Sequence, residues 1–270
     1  MPLYIVSTPI GNLADISQRA LETLRTCDLI LCEDTRHSLI LLRHYGIEKK
    51  LLSFHQFNEK KKEEELLQEL EQGRPIALIS DAGTPLISDP GHSLVRACIE
   101  HGIAFTAIPG PCSPIQALVL SGFDAGQFQF IGFLPRETNA LRQALRRALF
   151  YLGTTIAFES PQRILATLSA LHETAPDREL AIARELTKTF EECLRGTAAQ
   201  LIAHFQNHEP RGEIILLIRE GPSPEEEIGV EELVKLLQEQ LAVSLKDSIK
   251  MAAKLKKMPK SDVYRQIHQL

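Results

Sequence analysis

Short apolar runs alternate with helical patterns of apolar positions through the first half of the chain. Short runs bounded by turn residues are typical of buried strands, whereas apolar positions three and four residues apart are typical of helices. On these patterns we predict strands at Leu3–Ser7, Leu29–Glu33, Ile76–Ser80 and Ala104–Ile108. The helices predicted between or after them are Ser17–Thr26, Glu59–Gln72, Gly91–His101 and Ser113–Leu120. Such alternation is typical of a parallel or mostly parallel sheet covered by helices.

A second αβ series follows a turn-rich segment, Ser121–Gly126, which we interpret as a hinge. Its predicted strands are Phe128–Phe133, Thr154–Phe158, Leu180–Arg184 and Glu213–Ile218. Its predicted helices are Asn139–Tyr151, Pro161–His172 and Ala198–Asn207. The chain is therefore predicted to be of the α/β class, with αβ domains at residues 1–121 and 122–221.

Proline and glutamate residues between Gly221 and Glu227 break this pattern, and we predict a linker at residues 222–232. A small helical domain is predicted at residues 233–270, although its first helix, Val230–Leu241, begins within the linker. Ser244 is expected to cap a second helix, with Asp247 completing a capping-box pattern. Pro259 should end that helix, and Ser261 should cap a third. Three such helices fit a helix-turn-helix bundle or a dimerisation or packing appendage.

Charge is distributed unevenly along the chain, whose formal net charge is -5. From Lys246 to Leu270, seven basic residues face two acidic ones, so this tail carries +5 and the rest carries −10. An acidic body with a basic appendage suggests an anionic partner for the appendage. The alternative is a solvated helix face.

The bulk composition indicates an ordinary globular protein, with 44% hydrophobic and 24% charged residues. The five cysteines form no C-x-x-C pair, and no histidine lies at metal-ligand spacing from them. We therefore expect a reducing compartment, the cytoplasm, and neither a disulfide framework nor a metal site. We see no signal peptide, and Ile214–Ile218, the longest plain apolar run near the C-terminus, is too short to span a bilayer.

Three loops rich in glycine and proline follow predicted strands. The most informative is Ser80–Gly91, where Gly83 permits close backbone approach to a ligand and Asp81 offers a carboxylate for hydroxyls or amines. Ser7–Asn12 and Pro109–Pro114 end their strands in the same way. None of the three has the Walker or dinucleotide-binding pattern. Together they are predicted to line one crevice, although each alone also fits a stiff connecting loop.

Charged residues at other strand ends offer further candidates. Glu33, Asp34 and Arg36 follow the second strand and fit either a reactive site or an acidic helix N-terminus. His55 is a weaker candidate. Four basic residues at turns of the second half are candidates for phosphate contacts: Arg136, Arg184, Lys188 and Arg211.

Taken in order, these segments resemble motifs of the tetrapyrrole methylase superfamily, whose members bind S-adenosylmethionine between two αβ domains. The matching stretches are STPIGN at Ser7–Asn12, CEDTR at Cys32–Arg36, SDAGTPLISDPG at Ser80–Gly91, IPGPCS at Ile108–Ser113, FES at Phe158–Ser160, RELTK at Arg184–Lys188 and RGE at Arg211–Glu213. More closely, the chain is similar to the bacterial branch that 2′-O-methylates a cytidine of 16S ribosomal RNA. The basic tail also resembles the small C-terminal helical domain of that branch.

The resemblance implies a cofactor cleft between the two domains, a homodimer, and a small-subunit ribosomal RNA or ribosomal particle as substrate. The cofactor contacts it implies are Pro9, Ile10, Asp81, Ala82, Gly83, Thr84, Cys112, Ser113, Phe158 and Glu213. It identifies no catalytic base. The lysine-aspartate-lysine-glutamate tetrad of Rossmann-type ribose methyltransferases is not recognisable here.

A ribose hydroxyl is a poor nucleophile, so a base or a polarising contact is expected, with Glu33, Asp34 and His55 as candidates. The candidate substrate-binding residues are Arg36, Arg136, Lys188, Lys254, Lys256 and Lys257. Two other functions stay open. A small-molecule tetrapyrrole or precorrin-type methylase would need no basic tail. A non-enzymatic RNA-binding assembly protein would explain the tail and leave the three loops unexplained.

Overall fold

The computed structural model describes residues 2–221, 229–241, 243–256 and 258–268. The first domain contains a five-stranded parallel sheet in the order β3-β2-β4-β1-β5. Its strands are β1 (Leu3–Val6), β2 (Leu29–Cys32), β3 (Lys50–Ser53), β4 (Ile76–Ile79) and β5 (Phe105–Ile108). Its helices are α1 (Gln18–Thr26), α2 (Thr35–His44), α3 (Glu59–Glu71), α4 (His92–Glu100) and α5 (Ser113–Ser121). The parallel sheet and the four predicted strands and helices are confirmed, whereas α2 and β3 were not predicted.

The strand order of this sheet brings the three glycine- and proline-bearing loops together. These loops follow β1, β4 and β5, and β1 lies directly between the other two strands. Because the strands are parallel, all three loops leave the same edge of the sheet. The order of the strands, which is set by packing, therefore places three segments that are distant in sequence around one space.

The second domain contains a mixed sheet in the order β6-β7-β10-β8-β9. Its strands are β6 (Phe128–Phe133), β7 (Thr154–Glu159), β8 (Leu180–Arg184), β9 (Glu192–Gly196) and β10 (Ile214–Ile218). Its helices are α6 (Thr138–Phe150), α7 (Ile164–Thr174) and α8 (Ala198–Asn207). Only β6 and β7 pair in parallel, and Ile214 at the start of β10 lies opposite the last residues of β7 and β8. The segments that follow β6, β7 and β8 and the one that precedes β10 therefore meet at one edge.

The two domains share a hydrophobic core. Helix α5, assigned from sequence to the first domain, packs Ala117 and Leu118 against the second sheet, and Ile10 belongs to the same cluster. The loop after β8 also contacts the first domain, since the backbone N–H of Asn12 donates to the Thr187 hydroxyl at 3.0 Å. These contacts fix how the two sheet edges face each other.

The three C-terminal helices are α9 (Val230–Leu241), α10 (Leu245–Leu255) and α11 (Lys260–His268). They enclose a small core of their own that includes Leu233, Ile249 and Val263. Ser244 caps α10 as predicted, its hydroxyl accepting from the Asp247 N–H at 3.2 Å. The predicted Ser261 cap is wrong, because α11 already begins at Lys260 and the Pro259 carbonyl accepts the first free N–H groups. Most of the predicted 222–232 linker lies outside the described residues.

Gly11 lies where the first domain meets the loop after β8. A Cβ atom there would stand 2.5 Å from Lys188 Cγ and 2.8 Å from the Leu186 carbonyl oxygen. We expect Gly11→Ala to destabilise the protein by about 1–3 kcal/mol in urea unfolding, because the added methyl group overpacks the domain contact. Gly126→Ala is the matched control, since its added Cβ would meet only the exposed carboxylate of Asp124. Equal stability of both variants would contradict this account of the domain contact.

Candidate functional site

A cavity of about 400 Å³ lies between the facing edges of the two sheets. Its wall from the first domain comes from the three loops after β1, β4 and β5, represented by Ile10, the Asp81–Thr84 stretch and the Cys112–Pro114 stretch. Its wall from the second domain comes from the ends of β6, β7 and β8 and the start of β10. Those residues are Phe133, Phe158, Glu159, Ser160, Pro161, Leu186, Gly212, Glu213, Ile214 and Ile215.

Hydrogen bonds join the three loops of the first domain into one rigid wall. Thr8 and Gly83 form a two-way backbone bridge, with N···O distances of 2.8 and 3.1 Å. The Ser7 and Thr84 hydroxyl oxygens lie 3.1 Å apart, and the Thr84 hydroxyl donates to the Pro111 carbonyl at 3.0 Å. A ligand in the cavity thus meets a wall that needs little further ordering.

The loop after β4 has a backbone that ordinary residues rarely adopt. Gly83 has a φ of 84°, and a Cβ atom there would approach Ile10 Cγ2 at 3.2 Å. Leu86 and Ser88 also have positive φ values, 73° and 68°. Such conformations cost free energy and persist where the surrounding structure imposes them, often at ligand sites.

Four carboxylate side chains line the cavity, and they differ in their protein partners. Glu159 is fully buried; it accepts hydrogen bonds from the Thr167 hydroxyl at 2.7 Å and the Ser160 N–H at 2.8 Å, and it pairs with Arg163. Asp81 accepts from the Asp34 N–H at 3.2 Å. The exposed Glu213 carboxylate lies 3.9 Å from the Lys188 ammonium, and the Asp89 carboxylate is hydrogen-bonded by the Ser80 side chain.

Asp89 has an unusual electrostatic environment. Burial, followed by the nearby charges of Glu33 and Asp81, raises its pKa to about 6, and a hydrogen bond with the Ser80 side chain offsets part of this rise. Burial and the charge of Asp81 also raise the pKa of Glu33. A carboxyl group with a pKa near neutrality suits proton transfer at neutral pH. The sequence placed Asp89 in the right loop, but its spacing alone did not distinguish it from the other acidic residues.

Nine of the ten predicted cofactor residues line the cavity, namely Ile10, Asp81, Ala82, Gly83, Thr84, Cys112, Ser113, Phe158 and Glu213. Pro9 is not among the lining residues; it lies between the bridge residue Thr8 and Ile10. The structure thus brings together segments from both domains that the resemblance had grouped.

The three predicted catalytic residues lie outside the cavity lining. Asp34 caps α2, and hydrogen bonds from Arg36 lower its pKa to about 2, so its carboxylate is a weak base. The charge of Glu33 helps to raise the pKa of Asp89. His55 belongs to a turn in which the Asn58 amide nitrogen lies 3.1 Å from its Nε2. The helix N-terminus interpretation of this segment is the one that the structure favours.

The predicted substrate-binding residues are spread over the surface. Arg36 is exposed and pairs with Asp34, and the Lys188 ammonium donates to Glu185 at 3.0 Å. Arg136 is exposed in the turn between β6 and α6. Lys254 is exposed on α10, and Lys256 is half-buried at its C-terminal end. Lys257 lies outside the described residues.

In the part of the chain that the structure describes, no group of three His, Cys, Asp or Glu side chains is placed to hold a metal ion. None of the helices formed by those residues is long and apolar enough to cross a membrane.

Solved structures share the two-domain fold. The methyltransferase CobJ superposes with a TM-score of 0.62 at 16% identity, covering 82% of this chain and 95% of its own. Diphthine synthase gives a TM-score of 0.61 at 13% identity, covering 80% and 89%. Uroporphyrin-III C-methyltransferase from Thermus thermophilus, complexed with S-adenyl homocysteine, gives 0.56 at 16% identity, covering 82% and 98%. The fold is therefore that of a class of two-domain αβ methyltransferases.

Sequence comparison places the chain within that class. Residues 2–202 match the family described as tetrapyrrole (corrin/porphyrin) methylases. A protein of Escherichia coli O157:H7 named ribosomal RNA small subunit methyltransferase I is 42% identical over 97% of this chain and 93% of its own length. A Thermotoga maritima protein of the same name is 48% identical over 80% of this chain and 97% of its own. The chain belongs to the tetrapyrrole methylase family, as its motifs predicted.

Gly83→Val should abolish binding of S-adenosylmethionine, measured by calorimetry, because the new side chain would obstruct the cavity wall in a backbone conformation that suits glycine. Gly73→Val is the matched control, since Gly73 has a similar φ of 80° but no atom within 4 Å of its added Cβ. Both variants should lose similar stability, and only Gly83→Val should lose binding.

Gly83→Ala provides a second variant if the valine prevents folding. Cofactor binding at wild-type affinity by folded Gly83→Val would show that the loop after β4 is not the binding wall.

Proposed function

We propose that this chain transfers the methyl group of S-adenosylmethionine to the ribose 2′-hydroxyl of a cytidine in small-subunit (16S) ribosomal RNA. The observation that carries the proposal is the interdomain cavity, lined by three strand-end loops of one domain and four strand ends of the other. This cavity occurs in a chain that is 42% identical over nearly its whole length to a ribosomal RNA small subunit methyltransferase I. Ribosomal RNA as the substrate follows from that relationship.

The lining of the cavity suits S-adenosylmethionine. The cofactor combines a cationic sulfonium and ammonium with ribose hydroxyls and an apolar adenine face. Carboxylates at Asp81, Asp89 and Glu213 complement the cations and hydroxyls, whereas Ile10 and Phe158 offer apolar contacts. A volume of about 400 Å³ lies in the usual range for small-molecule sites. When bound, the cofactor would supply an electrophilic methyl group.

We assign the role of general base to Asp89. It lines the cavity, and no carboxylate–cation pair involving it exists among the described residues. Its raised pKa makes it a stronger base than an ordinary aspartate while leaving it largely ionised above pH 6. Accepting the proton of the 2′-hydroxyl would generate the nucleophile, while the rigid wall holds the reactants in line.

If Asp89 is the base, the methylation rate should depend on pH. Below pH 6 its carboxyl group is protonated and accepts no proton, so the single-turnover methylation rate should rise with pH through about 6 and then level off. Glu33→Gln removes a charge that raises this pKa and should therefore move the midpoint to lower pH. Glu64→Gln, an exposed change on α3, should leave it unmoved.

Asp89→Asn should lower the rate by roughly 10²–10⁴-fold. Asp89 would be excluded as the base if Glu33→Gln left the midpoint of the pH–rate profile unchanged and Asp89→Asn methylated at a near-normal rate.

The substrate proposal includes Arg36, Arg136 and Lys188 on the body and Lys254 and Lys256 on the tail. The match to the Thermotoga maritima relative covers 97% of that protein but only 80% of this chain. The relative is therefore shorter than this chain by about the length of the linker and tail helices. We therefore place RNA contacts on the body of this chain as well as on the tail. A homodimer and a cytoplasmic location belong to the same proposal. The homodimer rests on the family resemblance.

A small-molecule methylase acting on a tetrapyrrole is the second candidate, and the solved uroporphyrin-III C-methyltransferase with the same fold favours it. One experiment separates the two. The protein is incubated with methyl-labelled cofactor in three parallel reactions, which contain deproteinised 16S ribosomal RNA, small-subunit particles or uroporphyrinogen III as the substrate. We expect label in RNA, mapped to the 2′-oxygen of one cytidine. Label in the tetrapyrrole and none in RNA would overturn the proposal.

A further inference from the structure

Helix α6 presents an exposed face whose charged residues are all arginines. Its residues Thr138–Phe150 include Arg142, Arg146 and Arg147 and no aspartate or glutamate. All three arginines are exposed. Arg146 lies one helical turn after Arg142, and Arg147 follows it directly, so the three occupy one broad polar side of the helix. The opposite side packs Leu145 into the core of the second domain. The chain thus concentrates positive charge on this helix although its net charge is -5.

Little of this charge is neutralised by neighbouring carboxylates. Arg142 pairs with Glu173 at 2.9 Å, but both side chains are more than half exposed, and such pairs contribute little. Arg146 and Arg147 have no ion pair among the residues that the structure describes. A cationic face of this kind suits an anionic partner rather than an internal structural role.

This face begins close to the cavity. Strand β6 ends at Phe133, which lines the cavity, and Arg136 follows three residues later. The Arg163 guanidinium donates to the carbonyls of Leu134 and Pro135 at 3.2 and 3.1 Å, which fixes the turn leading to α6. Beyond this turn, a second cavity of about 330 Å³ is lined by Arg136 and Arg142, with the Glu173 carboxylate on its wall as well.

We propose that Arg136, Arg142, Arg146 and Arg147, here called the α6 face, dock the RNA backbone next to the nucleotide that enters the cavity. This inference rests on the proposed function. Guanidinium groups match phosphates in geometry and charge, and phosphate contacts fix the orientation of an RNA without reading its sequence. The helix is 13 residues long, so it spans roughly 20 Å, enough for several phosphates.

RNA fits this face better than a protein partner does. Protein interfaces centre on buried apolar and aromatic side chains, and the exposed side of α6 offers arginine, glutamine and asparagine instead. The face also lies on the body of the protein. RNA bound there needs no contact with the tail, and the Thermotoga maritima relative is shorter than this chain by about the length of the linker and tail helices.

The test compares two triple variants of the full-length protein. One carries Arg142→Gln, Arg146→Gln and Arg147→Gln. The control carries Arg19→Gln, Lys60→Gln and Lys61→Gln, which remove the same charge from exposed sites on α1 and α3. Binding to deproteinised 16S ribosomal RNA and to small-subunit particles is measured over a series of salt concentrations. Affinity for S-adenosylmethionine and the urea unfolding midpoint are measured alongside.

We expect the α6 variant to bind both RNA probes at least about tenfold more weakly at low salt, with the slope of log affinity against log salt shallower by roughly two to three. Its cofactor affinity should match that of the wild type, and the control should retain the full slope. An unchanged slope in the α6 variant would overturn the inference. Weaker binding to particles with unchanged binding to deproteinised RNA would overturn it in favour of a ribosomal protein partner.

Because this assay measures binding, it is independent of methylation. If the wild type binds RNA and methylates none, the proposed function fails while the comparison of the two variants still decides the α6 inference. If the wild type binds neither RNA probe, both fail.

Discussion

The backbone bridge between Thr8 and Gly83 is the contact on which the rest of the site depends. It joins loops that leave two neighbouring parallel strands, and the Thr84 hydroxyl extends the link to the loop after β5. The bridge uses Gly83 at a φ of 84°, which leaves no side chain between the wall and the cavity. With this wall fixed, α5 and the loop after β8 dock the second sheet opposite it, and the cavity forms between the two sheet edges.

Much of this arrangement was predictable from local pattern. The strand-end loops, the helices between them and the family motifs are all read from short stretches of sequence, and nine of the ten residues predicted to contact the cofactor line the cavity. The order of the strands was not predictable, because it depends on packing between distant segments. Strands β3 and β9 were not predicted because they are edge strands. Their residues are partly polar and only partly buried, so they lack the continuous apolar run of the central strands. Asp89 was missed because its pKa depends on Glu33, which approaches from another loop.

The acidic cavity and the basic surfaces outside it carry opposite charge. The cavity is acidic, which suits a cationic cofactor and a carboxylate base, but it repels the phosphates of an RNA. A nucleic acid therefore needs compensating positive charge outside the cavity. The structure supplies such charge on α6, beginning a few residues beyond the cavity wall, and on the tail helices. An acidic overall composition is thus compatible with an RNA substrate when the basic residues are gathered at separate surfaces.

The central claim, that the interdomain cavity holds the cofactor, is tested most directly by alkylation of Cys112. This cysteine lines the cavity, whereas Cys193, which is also partly exposed, lies on β9 outside the lining. Each thiol is alkylated with and without saturating S-adenosylmethionine, and the rates are followed by mass spectrometry of peptides. The account predicts that the cofactor slows alkylation of Cys112 at least about tenfold and leaves Cys193 unaffected. If calorimetry shows that the cofactor binds but Cys112 is alkylated at the same rate with and without it, the cofactor must bind elsewhere.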